Sequence, residues 1–440
     1  MPTQNILISR GAPYPLGTSE TANGINFAFI SSKAEKAEIL VFAPNSVEPF
    51  FIASLSSPFH KTENTWHACI ENLKPPFEYA YKVFHSSHWT PELLDPYAKA
   101  LNSETHFGKQ KGFPSRARFF KSPPFDWQGV EKPKTPFKEW IIYEMHVRGF
   151  SQHPSSGVKK PGTFLGLIEK IPYLKSLGIN AVELLPVFEF NECENHRKNP
   201  TTNENLVNFW GYSTVQFFCP MQRYAASQEW EASILGFKEM VRELHKNDIT
   251  VLLDVVYNHT GEGDPPFSFR GFDESAYYML NEHGEYYNFS GTGNTFNCNH
   301  PITLNLIIDS LIYWAEEMQV DGFRFDLASI LTRGTSGEVL DCPPILEAMN
   351  AEPLLRNTHL IAEAWDAAGL YQVGSFPGGP RWSEWNGKFR DITREFIKGA
   401  HPSVGDFAEV LCGSQNLYSA ASPTKSINFV TAHDGYSLHD

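Results

Sequence analysis

Ile249-Thr250-Val251-Leu252-Leu253-Asp254-Val255-Val256-Tyr257-Asn258-His259 is an apolar run that stops in an amide and an imidazole, with one acid inside it. The stretch before it, Leu235 to Lys246, carries a single interior glycine, Gly236, and reads as a helix. The same order, helix then strand, recurs on both sides. Upstream, Trp140 to Met145 reads as a first strand. Phe164, Leu167, Ile168, Ile171, Leu174 and Leu177 then fall at three- and four-residue spacing, one face of an amphipathic helix. Gly178 ends it, and Ile179 to Pro186 is a mostly apolar strand. Downstream, Leu304, Ile307, Ile308, Leu311, Trp314 and Met318 mark a helix face, and Val320 to Asp326 a strand. Such alternation predicts a parallel sheet whose strands are buried on both faces. No glycine-rich phosphate fingerprint follows the first strand, which disfavours a nucleotide-binding sheet. The expected fold class is α/β, a (β/α) barrel.

The first 112 residues differ. Ile25 to Ile30, Ala37 to Phe42 and Tyr79 to Phe84 are short, strand-like and bounded by turn residues, with no helical period. They predict a small β-sandwich. Residues 113–138 include Ser122-Pro123-Pro124-Phe125 and Lys132-Pro133-Lys134-Thr135-Pro136, which read as a linker or a packed connector. The barrel is expected to occupy residues 139–440.

The 440 residues include 36 basic and 50 acidic side chains, a net charge of −14. An acidic surface disfavours nucleic acid as a partner, because neutralising phosphates requires a basic face. No apolar run reaches membrane-spanning length, and the N-terminus has no basic region leading into an apolar core, so neither a membrane partner nor a secretory signal is expected. The six cysteines form no close pair, so a zinc ribbon or a redox dithiol is not signalled. That usage is ordinary for a reducing compartment, and a cytoplasmic location is expected. No metal or cofactor is called for.

Barrels carry their chemistry where the strands end. Four apolar stretches here terminate in charged or imidazole groups: Leu252 to His259, Asp321 to Asp326, Leu360 to Asp366 and Phe429 to Asp434. One such Asp is usually a helix cap. Four in one sheet would bring their carboxylates to one mouth. Arg324 and Asp326 are two apart, so on a strand they share a face, opposite Phe323 and Phe325. An arginine beside an aspartate keeps the carboxylate ionised, as a nucleophile requires. Glu363, at the end of an apolar strand and near two aspartates, suits the opposite bias, a carboxyl held protonated as a general acid. The pattern implies an acid/base hydrolase or transferase acting on a neutral, hydroxyl-rich substrate.

Taken as a set and in this order, the four stretches resemble the four short regions of the α-amylase superfamily, glycoside hydrolase family 13. The resemblance implies Asp326 as nucleophile, Glu363 as acid/base, and Asp434 as a third carboxylate that binds sugar hydroxyls. It also implies that Arg324 holds the nucleophile and that His259 and His433 hydrogen-bond the glucose at the cleavage point. Asp254 and Asn258 would organise the site, and Tyr212, in Trp210-Gly211-Tyr212, would stack under that sugar. Pro15-Leu16-Gly17, Gly24-Ile25-Asn26-Phe27 and Leu94-Asp95-Pro96-Tyr97-Ala98-Lys99 resemble the start and end of a family-48-type carbohydrate-binding module. Tyr143-Glu144-Met145-His146-Val147-Arg148-Gly149-Phe150, Phe209-Trp210-Gly211-Tyr212, Ala362-Glu363-Ala364-Trp365-Asp366 and Trp385-Asn386-Gly387-Lys388-Phe389-Arg390-Asp391 resemble isoamylase and bacterial glycogen-debranching enzymes.

The resemblance implies a hydrolase of α-1,6 branch linkages, with glycogen or another branched α-glucan as partner. Some isoamylase relatives carry calcium; no clear calcium loop is present here, and calcium stays open. Two other functions stay open: a branching transferase, in which a glucan hydroxyl replaces water, and a non-catalytic glucan-binding subunit. The latter type loses catalytic residues, whereas Asp326, Glu363 and Asp434 are all present. A family-like seventh strand would end near His433, and Asp440 lies six residues after Asp434. The expected (β/α)8-type TIM barrel is then incomplete at its C-terminal end, without its eighth strand and a C-terminal β domain. With two open sheet edges, this chain alone is expected to be poorly stable and weakly active.

Overall fold

The computed structural model describes residues 6–122, 124–400, 403–418 and 422–435. Its C-terminal part is built on one parallel sheet of seven strands: β1 (Ile142–Met145), β2 (Ala181–Leu184), β3 (Thr250–Val255), β4 (Gly322–Phe325), β5 (His359–Ala362), β6 (Trp382–Trp385) and β7 (Ser426–Ile427). The strands lie in chain order, each hydrogen-bonded to the next. In-register pairs such as Asp254 with Arg324 and Phe325 with Ala362 fix the level at which each side chain emerges. Side chains alternate across each strand. Outward-facing Val182, Leu184, Leu253, Phe323, Phe325 and Leu360 are buried in the main core, whereas Leu252, Ile361 and Trp385 pack inside with Trp140, Ile142, Ile427 and Phe429. Residues at both ends of the sheet therefore share one interior, so the sheet is curled. Among the described residues no strand joins β1 to β7. The incomplete barrel of seven strands inferred from the sequence is the fold observed.

Two expectations need correction. The Phe164–Leu177 face is not one helix but two, Phe164–Ile168 and Ile171–Ser176. Pro172 lies in the first turn of the second, where its missing N–H costs nothing but interrupts any longer ladder. The stretch Phe429 to Asp434 is not a strand end. β7 covers only Ser426–Ile427, paired to Glu384 and Trp385, and residues 428–435 leave the sheet. A run rich in β-forming residues stays extended only where a neighbouring ladder takes its N–H and C=O groups, and β6 ends at Trp385.

The N-terminal part holds two antiparallel sheets. One orders Leu7–Ser9, Thr65–Glu71, Gly24–Ile30 and Gly17–Glu20; the other orders Ala117–Phe119, Phe77–His85, Lys36–Phe42 and Phe51–Leu55. Phe27, Phe29, Ile39, Val41, Trp66, Tyr79 and Tyr81 fill the space between, with Phe29 and Tyr81 ring centroids 4.3 Å apart. Ala117–Phe119 pairs with Phe77–Tyr79, so this sheet runs past the boundary expected at residue 112. The proline-rich connector is packed. Lys132 Nζ donates to the carbonyls of Ala315 (3.1 Å) and Val320 (2.7 Å), and Phe125 lies under Arg242. Between the two parts, Leu94 N–H donates to Phe267 C=O at 2.7 Å and Ser31 Oγ to Phe272 C=O at 2.6 Å. Tyr97 stacks on Phe218 at 5.0 Å.

Candidate active site

Arg324 is the centre of the site. It stands on β4 facing the sheet interior and is fully buried. A buried guanidinium needs counter-charges, because desolvation alone would be prohibitive. Three carboxylates supply them. Nη1 donates to Asp254 Oδ1 (2.9 Å) and Oδ2 (3.0 Å) and to Asp326 Oδ1 (3.2 Å); Nη2 pairs with Glu363 Oε1 at 3.0 Å. The cation also lies 4.5 Å from the Trp385 ring centroid. Asp254 is inside β3, while Asp326 and Glu363 are the residues that follow β4 and β5. Parallel strands in register deliver these four side chains to one end of the sheet.

The neighbours set each carboxyl apart. Glu363 is pushed up to about 8, mainly by burial, with Asp326 and Asp254 adding and Arg324 and the Leu327 N–H opposing. That N–H donates to Glu363 Oε2 at 2.6 Å. Leu327 is held left-handed, φ 42° and ψ 50°, a costly conformation for a leucine that the surrounding contacts impose. Asp254 is raised to about 6 by burial, with Arg324 working against the shift. Asp326 is fixed by Asn258, whose Nδ2 donates to Asp326 Oδ2 at 2.6 Å and to its carbonyl at 3.0 Å.

Tyr212, His259 and His433 form one wall. The Tyr212 hydroxyl donates to Asp254 Oδ2, and its ring stacks on His433 at 5.0 Å and 26°. His259 Nε2 donates to the Tyr212 carbonyl at 3.0 Å, and its Nδ1 faces Asn258 Oδ1 at 2.5 Å. Both His259 ring nitrogens therefore already have protein partners. His433 Nδ1 pairs with Glu144 Oε1 at 2.8 Å.

Eight of the nine residues singled out from the sequence thus gather around Arg324 and the Tyr212–His433 wall. Asp434 touches that group through His433 alone among the described residues. Its side chain is 47% exposed, 3.6 Å from His433 Nε2, and it lines a separate cavity of about 350 Å³ with Trp365, Asp366, Tyr371, Arg390 and Asp391. No polar contact joins it to Arg324, Asp326 or Glu363 among the described residues.

Three participants were missed: Glu144, Glu183 and Leu327. The two glutamates emerge in register from the middles of β1 and β2 into the interior. Glu183 is buried, neither carboxyl oxygen has a hydrogen-bond partner among the described residues, and burial, then Glu144, pushes its pKa well above the usual range. The available signal was a lone acid within an apolar strand, in Ile141-Ile142-Tyr143-Glu144-Met145 and Ala181-Val182-Glu183-Leu184-Leu185. For Leu327 the sequence carries no signal. Trp385 packs on Arg324. Among the described residues no three His, Cys, Asp or Glu side chains are grouped to hold a metal ion. No described helix is long and apolar enough to cross a membrane.

Comparison with known proteins adds family membership. Residues 139–268 match the family described as alpha amylase, catalytic domain, and residues 15–98 match carbohydrate-binding module 48 (isoamylase N-terminal domain). The chain is 46% identical to isoamylase 1, chloroplastic, of Oryza sativa subsp. japonica, over 98% of this chain and 58% of that protein. It is 36% identical to the glycogen operon protein GlgX homolog of Haemophilus influenzae, over 99% of this chain and 67% of that protein. Pullulanase from Paenibacillus barengoltzii, solved with maltohexaose and alpha-cyclodextrin, shares the fold at a TM-score of 0.81 and 24% identity, over 98% of this chain and 68% of that one. The chain thus spans less than two thirds of the rice protein it matches. With a curled parallel sheet behind an antiparallel N-terminal module, and with these similarities along nearly its whole length, the chain belongs to the isoamylase and GlgX group of the α-amylase family.

Proposed function

We propose that this chain carries the catalytic apparatus of a retaining hydrolase of α-1,6 branch linkages in glycogen or a related α-glucan. The observation that carries the reading is the division of labour around Arg324: one carboxyl, Glu363, is held protonated near neutrality beside a second, Asp326, that the same guanidinium and Asn258 hold in place. A retaining glycosidase needs one acid and one nucleophile on the same sugar. Glu363 gives its proton to the glycosidic oxygen as the Asp326 carboxylate attacks C1; the C1–O bond breaks and a glycosyl ester forms. Water then attacks C1, Glu363 takes its proton, and the C1–Asp326 bond breaks to return both groups to their starting states. Arg324 keeps Asp326 oriented, and Tyr212 with His433 supplies an aromatic face for the sugar ring. His259 and Asn258 act by position, and Asp434 contributes hydroxyl contacts; its support is its place next to His433.

The α-1,6 preference is supported by the names of the relatives, isoamylase and a glycogen operon protein. A cytoplasmic setting belongs to the same proposal. All six thiols are unpaired, which suits a reducing compartment, although the rice protein's name places that protein in the chloroplast. The test is to incubate the protein with amylopectin and measure reducing ends and released linear chains. Reducing ends should rise, and Asp326→Ala should lower the rate by at least about a thousandfold. Shortened branches with flat reducing ends would mean a transferase instead. An Asp326→Ala variant as active as the parent would remove the nucleophile assignment.

A further inference from the structure

Glu144 lies in β1, the first strand, and its carboxylate is spent on one residue beyond the last strand. Oε2 accepts the backbone N–H of His433 at 2.6 Å and Oε1 meets the ring Nδ1 at 2.8 Å. Through this pair of bonds the described segment after β7 reaches β1, across the edge where a cavity of about 800 Å³ opens between Trp140 and Phe429. Two bonds to one residue fix both the position of its backbone and the rotation of its ring. The ring so fixed stacks on Tyr212 and meets the Trp210 edge at 5.1 Å. Tyr212 in turn donates to Asp254, the partner of Arg324.

We propose that Glu144 is a positioning residue of the catalytic site: by clamping His433 it sets the Tyr212–His433 wall at the right height above Asp254, Asp326 and Glu363. The inference rests on the debranching reading for its catalytic consequence, but the clamp itself is independent of it. The groups facing His433 are Glu144 on β1, Asp254 on β3, Arg324 on β4, Tyr212 in the β2–β3 excursion and Asp434 beside it; Glu183 on β2 stands behind Glu144. Burial opposes a charged imidazole here, but the hydrogen bond and charge of Glu144, with Asp254 adding, outweigh it and hold the ring's pKa above its usual value.

The experiment is a cycle in the full chain: Glu144→Ala, His433→Ala and the double variant, with kcat, KM and thermal unfolding measured on amylopectin. Glu144→Ala should lower kcat/KM roughly 10- to 100-fold. In the His433→Ala background the further loss should stay within about threefold, because the two side chains act as one unit. Equal losses in both backgrounds overturn the proposal. Glu144→Gln keeps an acceptor for the backbone N–H and guards against simple unfolding. In it, the His433 ring-nitrogen NMR signal at neutral pH should move toward that of neutral imidazole, and an unchanged signal overturns the proposal. If the parent protein releases no reducing ends, the debranching reading fails while the NMR arm still decides whether Glu144 holds the ring.

Discussion

The two halves of the molecule solve the problem of buried acids in opposite ways. In the N-terminal sandwich, Asp95 is fully buried and completely served. Its Oδ2 accepts from the Tyr79 hydroxyl at 2.8 Å and from that of Tyr81 at 3.3 Å, and its Oδ1 takes the Tyr97 N–H at 2.8 Å. All its donors are neutral. In the curled sheet, Asp254, Asp326 and Glu363 share one guanidinium, and Glu183 beside them has no hydrogen-bond partner among the described residues. An acid surrounded by neutral donors is a structural fastening. Several acids sharing too little positive charge keep one carboxyl protonated and leave another free to attack, at a cost in stability. The contrast separates the part of this protein that holds shape from the part that does chemistry.

Removing the shared cation should break the contrast most severely. Arg324→Ala leaves the buried Asp254 and Glu363 and the partly buried Asp326 without their shared cation and should lower unfolding free energy by about 3–5 kcal/mol, with turnover lost. Denaturant melts measure the first and reducing-end assays the second. A melt unchanged from the parent would show that the acids are not held by Arg324.

The next effect is on pH dependence. Because Glu363 is raised to about 8, the acid form needed for leaving-group protonation persists to that pH, and kcat/KM should fall on the alkaline side with a midpoint near 8. The sign for stability follows. A carboxyl whose folded pKa exceeds its unfolded value favours folding below the unfolded pKa, and that contribution is lost as pH rises through the folded one. Between the usual glutamate pKa and about 8 the curled sheet should lose stability progressively, and Asp254, raised to about 6, adds to the slope in the lower part of the window. Thermal melts across pH 5–9 check it; a melting temperature that stays flat or rises between pH 5 and 8 would contradict it.

The smallest effect belongs to the sandwich. Asp95→Asn keeps the shape but removes the charge that the two phenols solvate, and should cost ~1–3 kcal/mol of stability while kcat stays at the parent value. A large fall in kcat with an intact melt would mean that the two halves are catalytically coupled and the contrast is too sharp.

How much of this was legible in the sequence depends on where a residue stands in its element. Asp326 and Glu363 stood out because apolar runs end on them, and a strand end in a parallel sheet is a predictable place. Arg324 was found through its two-residue spacing from Asp326. Glu144 and Glu183 were passed over because each sits mid-strand among residues that suit a core, and only closure of the sheet reveals that mid-strand positions face a shared interior. The seventh strand was drawn too long because Phe429 and Val430 have strand-forming side chains, whereas strand length is decided by hydrogen-bonding neighbours. Leu327 could not be read, since its left-handed backbone is imposed by tertiary contacts. Asp434 was placed by pattern among the acids, yet among the described residues only His433 links it to them.

The central claim is that Asp326 attacks the sugar while Glu363 handles the proton. The most direct measurement is mass spectrometry of the Glu363→Gln variant after reaction with α-maltosyl fluoride, whose leaving group needs little acid assistance. The account predicts a maltosyl adduct on the peptide containing Asp326. An adduct confined to another residue, such as Asp254 or Asp434, would contradict it.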